Sequence, residues 1–98
     1  MATVRITARA FVHLERIFDF IAERDPDDAL ETVQRIREAI EILERHPYIG
    51  RTVEEGRREL VISRGRNSYL ALYRFIPARD LILILAIRSS REAGYQPD

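Results

Sequence analysis

Along the chain the apolar residues switch between a spacing of two and a spacing of three or four, and the switches divide it into strands and helices. Val4 and Ile6 alternate with Thr3, Arg5 and Thr7, which predicts a short first strand. From Ala8 the spacing lengthens: Phe11, Leu14, Ile17, Phe18 and Ile21 share one helical face, with Glu15, Arg16, Asp19 and Glu23 on the other side. Thr7 can cap this helix and Asp25-Pro26 ends it. The same dipeptide starts a second helix. Asp25 is a good cap, Pro26 suits the first helical position, and Asp27 and Asp28 complement the positive end of the dipole. Ala29, Leu30, Val33, Ile36, Ile40 and Leu43 form its apolar stripe, and Arg45, His46 and Pro47 close it. Two amphipathic helices joined by so short a link pack as an antiparallel hairpin.

The second half returns to strands. His46 to Arg51 reads as an ordered turn, Thr52 to Gly56 as a charged loop, and Arg58 to Ser63 as a strand whose Leu60 and Ile62 share a face. Tyr69 to Ile76 and Leu81 to Ile87 form a hairpin across Pro77-Ala78-Arg79-Asp80. Leu81 to Ile87 is apolar at every position, so this strand is expected to be central and covered on both faces. The expected fold is a single α+β domain over residues 1–98, in the order β-α-α-β-β-β. Its two layers are the helical hairpin and a four-stranded, mainly antiparallel sheet in which the first strand lies at the free edge of the last. Leu14, Phe18, Ile21, Val33, Ile36, Ile40, Leu72 and Leu83 are expected in the core. With the helices on one face, nothing in the chain is left for the other, and an uncovered apolar sheet face marks an interface. The tail from Glu92 to Asp98 has little apolar content and is expected to be loosely held.

Composition narrows the setting. Of 98 residues 46% are hydrophobic and 33% charged, enough for one folded core. With no cysteine, disulfides and thiolate metal sites are excluded and the reducing cytoplasm is the expected location. No signal-like run opens the chain and no apolar run approaches the roughly 20 residues that span a bilayer, so no membrane partner is expected. The formal net charge of zero hides an asymmetry: residues 48–98 hold 9 Arg against 6 acids, and between Arg57 and Arg91 there are 8 Arg and 2 acids. All 16 basic residues are arginines, whose guanidinium forks suit carboxylates and phosphates. The carboxy-terminal half is therefore the candidate face for an acidic partner.

Little else in the chain carries recognisable chemistry. Its glycines are isolated, so there is no phosphate-cradling loop. His13 and His46 lie on a helix and at a helix end without metal-ligand spacing, and both read as solvated or capping side chains. Neither a metal nor a cofactor is expected. The arginines have two readings. They keep a sheet edge soluble, or they converge on a sheet edge or the open face, which is favoured for Arg74 and Arg88 because each interrupts an apolar strand. A tail anchored by a rigid strand and carrying Arg88, Arg91 and Tyr95 can reach into another macromolecule. Arg74, Arg88, Arg91 and Tyr95 are thus the expected target-binding residues.

The element order resembles the RelE/ParE toxins of bacterial type II toxin–antitoxin systems. So do the turn His46-Pro47-Tyr48-Ile49-Gly50-Arg51, the strand Ser68 to Phe75 and the ending Ala86 to Glu92. The resemblance covers nearly the whole chain. It implies an antitoxin of the ParD type whose disordered segment folds on contact, and no sequence-specific DNA binding by this chain alone. It also implies an antitoxin-binding set of Leu14, Phe18, Arg58, Leu60, Tyr69 and Tyr73. Two targets are open within the superfamily, DNA gyrase and ribosome-bound messenger RNA. The RNA-cleaving pattern has an arginine where this chain has Leu70, and further Lys and Arg where it has Leu60, Val61 and Ile62. Tyr73-Arg74 followed by an apolar residue is closer to the gyrase-poisoning ParE pattern, although many relatives have a histidine where Arg88 stands. Non-enzymatic inhibition of gyrase is the favoured expectation, and ribosome-dependent cleavage of messenger RNA the alternative.

Overall fold

The structure, a computed structural model, describes residues 1–97. Strand β1 (Thr3–Ile6) leads into helix α1 (Ala8–Ala22), whose first turn is closed by Thr7, its hydroxyl accepting from the Ala10 amide. Helix α2 (Pro26–Glu41) begins at Asp25, whose carboxylate accepts from the Asp28 amide. Strands β2 (Arg51–Thr52), β3 (Arg58–Arg64), β4 (Asn67–Ile76) and β5 (Leu81–Ser89) follow. The sheet has five strands in the order β1-β5-β4-β3-β2, with β1 parallel to β5 and the other pairs antiparallel. The expected four-strand sheet is corrected by β2, formed by the last residue of the expected turn and the first of the expected charged loop, which pair Arg51 with Glu59 and Thr52 with Arg58. Two residues are too short to show a hydrophobic period.

Strand alternation sends Tyr69, Ala71, Tyr73 and Phe75 of β4 to the helices, with Leu60 and Ile62 of β3 and Ile82, Ile84 and Ile87 of β5. The step from Ile84 to Ile87 breaks a period of two, and a β-bulge at Leu85 accounts for it. Tyr73 faces Ile84 and Leu72 faces Ala86, leaving Leu85 as the extra residue. Opposite these strands the helices supply Ala10, Leu14, Ile36, Ala39 and Ile40. Fully buried Ile36 and Ile40 each contribute about 1.5–3 kcal/mol.

Of the expected core, Leu14, Ile36, Ile40 and Leu72 are buried, whereas Phe18, Ile21, Val33 and Leu83 are only half-buried. The last lies near the parallel edge, where β1 is the outermost strand. The largest fully buried side chain is Tyr73. Its hydroxyl donates to the Pro47 carbonyl and accepts from the Gly50 amide, both at 2.9 Å, which ties the turn after α2 to the centre of the sheet. His13, expected at the surface, is 2% exposed. Among the described residues no helix is long and apolar enough to cross a membrane.

Candidate functional site

The face of the sheet away from the helices carries Leu70, Leu72 and Arg74 of β4, Glu59 and Val61 of β3, and Ala86 and Arg88 of β5. Leu70, Leu72 and Ala86 are 6%, 4% and 0% exposed although no helix covers them. The chain's own tail lies nearby, and the expectation of a loosely held tail is corrected here for residues 92–97, Asp98 lying outside the described residues. After β5 the chain turns at Ser90, whose amide donates to the Ser68 carbonyl at 2.9 Å. Glu92 closes the turn, its carboxylate accepting from the Ser89 amide at 2.7 Å. Tyr95 then comes to lie over the sheet, its hydroxyl donating to Glu59 Oε2 at 2.7 Å. The Arg88 guanidinium stacks 5.1 Å from the Tyr95 ring centroid, and its Nη1 donates to the Glu92 carbonyl at 2.6 Å. Farther out, Arg9 Nε holds the Gln96 carbonyl at 2.9 Å.

Glu59 is the hub of this cluster. Its side chain is nearly buried, and its two oxygens have separate partners: Arg51 Nε donates to Oε1 at 3.0 Å, Arg51 Nη2 reaches the same oxygen, and Tyr95 holds Oε2. Burial pushes the Glu59 carboxyl up. The hydrogen bonds from Tyr95 and Arg51, with the charges of Arg51 and Arg88, outweigh it and hold the group below the ordinary glutamate range. Burial and the adjacent carboxylate push the Tyr95 hydroxyl well above its ordinary range.

Arg88 and Tyr95 are therefore in contact. Arg74 lies on the same face at the far end of β4, roughly 13 Å along the strand from Leu70, the register partner of Arg88. It is exposed, with Nη2 donating to the Glu55 carbonyl at 3.0 Å. Arg91 turns the other way and lines a groove of about 880 Å³ on the helix side. Apolar side chains of Ile17, Phe20 and Tyr69 and the arginines Arg24 and Arg66 also line that groove. Phe20 is 71% exposed. Of the expected antitoxin-binding residues, Leu14, Tyr69 and Tyr73 are buried in the core, Leu60 packs half-buried against it, and Phe18 is half-buried. Arg58 donates to the Tyr48 and Gly50 carbonyls. Glu59 and Arg51 were missed by the sequence reading. The available signal was Glu59 itself, the one acid between Arg57 and Arg79.

The description of a family of ParE toxins from type II toxin–antitoxin systems, parDE, matches residues 4–94. The chain belongs to the ParE toxin family. This toxin is 32% identical over 92 residues to the toxin RelE3 of Caulobacter vibrioides, covering 94% of this chain and 98% of that one. Among solved structures it is similar to a chain of the chromosomal ParDE toxin–antitoxin system from P. aeruginosa. Their identity is 30% and the TM-score 0.75, over 91% of this chain and 96% of that chain. Both likenesses run nearly the length of the chain, so its α+β layout is that of a toxin fold.

Proposed function

We propose that this toxin acts by binding DNA gyrase and is neutralised by a ParD-like antitoxin. The observation that carries the reading is the Arg88–Tyr95 pair, fixed on the sheet face away from the helices within a chain of the ParE family. Arg74, exposed on the same face, extends that surface. A preformed cationic and aromatic patch on a rigid sheet gains affinity because little ordering is left to be done on binding. The antitoxin is supported by the helix-side groove, whose apolar floor and arginine rim suit an acidic segment with apolar side chains.

The test is expression of the toxin without its antitoxin, with supercoiling activity and messenger RNA integrity followed together. A gyrase poison stalls supercoiling and induces DNA damage while messages stay intact. Codon-specific cleavage within minutes, with supercoiling unchanged, rejects the gyrase reading.

One observation favours the second reading, a ribosome-dependent endoribonuclease. Glu59, Arg51, Arg88 and Tyr95 form a carboxylate, cation and hydroxyl cluster, the kind of set that proton transfer next to a phosphate uses. In this arrangement both carboxylate oxygens are already engaged by Arg51 and Tyr95, which weighs against a free base.

A further inference from the structure

We propose that Glu59 is the positioning residue of the Arg88–Tyr95 surface: held by Arg51, it fixes Tyr95 over the sheet and, through Tyr95, fixes Arg88. The inference rests on the reading that this tail surface engages the toxin's target, and it names the group that gives the surface its shape.

The chain of constraints starts in the sheet. Glu59 sits in β3 between β2 and β4, paired with Arg51 on one side and Leu72 on the other, so its backbone cannot shift without breaking two ladders. Its carboxylate cannot swing either, because each oxygen is taken by a different partner. A carboxylate 7% exposed is costly to leave unpaired, so the site holds its partners as firmly as they hold it. Tyr95 arrives from 36 residues away and meets Glu59 at 2.7 Å. Its ring then gives the Arg88 guanidinium a flat support, and Arg88 in turn pins the Glu92 carbonyl. Arg88 Nε is buried and makes no hydrogen bond among the described residues, so stacking on Tyr95 does much of the orienting.

The base of the tail has its own ties. Ser68 and Ser90 share a 2.8 Å hydrogen bond, and Glu92 holds the Ser89 amide. Loss of Glu59 therefore leaves the turn after β5 intact and frees Tyr95. Arg88 loses its stacking partner. The effect is one of geometry, with no charge removed from Arg88 itself.

The toxin is prepared with its antitoxin, and Glu59→Ala, Glu59→Gln, Tyr95→Phe and the double variant Glu59→Ala/Tyr95→Phe are compared. Three properties are read: amide exchange of residues 89–96, antitoxin affinity, and growth arrest on expression without antitoxin. Misplacing a contact group by about 1 Å weakens a site by up to roughly a hundredfold, so Glu59→Ala and Tyr95→Phe are expected to cut the potency of arrest by about tenfold or more. Their tail amides exchange faster and antitoxin affinity stays within about threefold. Glu59→Gln, which keeps an acceptor for Tyr95, retains most of the potency. The double variant loses no more than the worse single one, because both break the same link.

Faster tail exchange with undiminished arrest overturns the proposal, as does an additive loss in the double variant. A purely structural role predicts instead that antitoxin affinity falls with arrest in Glu59→Ala. If that variant does not fold, Tyr95→Phe, which keeps the Arg51–Glu59 pair, decides alone. A parent that causes no arrest overturns the functional reading and this inference with it. A parent that arrests growth without touching gyrase overturns only the choice of target.

Discussion

His13 Nδ1 accepts the amide hydrogen of Ile87 at 3.0 Å, so a helix side chain completes the sheet where a strand runs out. β1 pairs only with residues 81–84 of β5. Thr7 takes the Ile84 carbonyl through both its amide and its hydroxyl, at 3.1 and 2.7 Å, and His13, six residues farther on, satisfies the Ile87 amide. For Nδ1 to accept, the ring must carry its proton on Nε2.

Replacing His13 by Ala leaves a buried amide without a partner. The expected loss is about 1–3 kcal/mol of folding stability, read as a lower urea midpoint at an unchanged slope. A loss below about 0.5 kcal/mol would show that water replaces the imidazole, since surface changes fall in that range.

Gly50 carries a second packing constraint. A Cβ built there lies 2.7 Å from the ring and hydroxyl of Tyr73 and 2.9 Å from the Glu59 carbonyl. Tyr73 is fully buried and the Glu59 carbonyl belongs to a paired strand, so neither gives way easily. Gly50→Ala is expected to destabilise the fold by about 1–3 kcal/mol. Thermal unfolding of the variant with and without Tyr73→Phe checks the cause, because removing the hydroxyl relieves one of the clashes.

Attachment of the tail has a pH window set by Glu59 and Tyr95. The depressed Glu59 carboxyl contributes stability above the ordinary glutamate value of 4.5 that is lost as pH falls through its folded value. The raised Tyr95 hydroxyl contributes stability below the ordinary tyrosine value of 10.0 that is lost as pH rises through its folded value. The Tyr95 ring resonances should keep their bound shifts across the neutral range and move toward free-tyrosine values only at the acid and alkaline extremes. Movement near pH 7 would refute the assignment.

Deleting Leu85 removes the extra residue and leaves the pairs on either side in register, Tyr73 with Ile84 and Leu72 with Ala86. Ile87 then still faces the helices, and Ala86 and Arg88 still face the tail. The deletion is therefore expected to leave a folded toxin, read as a cooperative thermal transition. Loss of that transition would show that the bend and added twist of the bulge are themselves needed by the sheet.

The helices were legible because capping and period are local. Thr7, Asp25 and Pro26 act within one turn of themselves, and the apolar stripes of α1 and α2 need no knowledge of the rest of the chain. The hairpin of β4 and β5 was legible for the same reason. A strand apolar at every position is silent about register, however. Leu81 to Ile87 reads the same with or without a bulge, and only contact with Tyr73 and Leu72 selects Leu85 as the extra residue. His13 and Glu59 were misread or passed over because a polar residue declares its role only when its partner, Ile87 or Tyr95, arrives from 74 or 36 residues away. Tyr95 itself, part of a short polar tail, is held over the sheet by a buried carboxylate and a stacked guanidinium, two long-range contacts that no local pattern encodes.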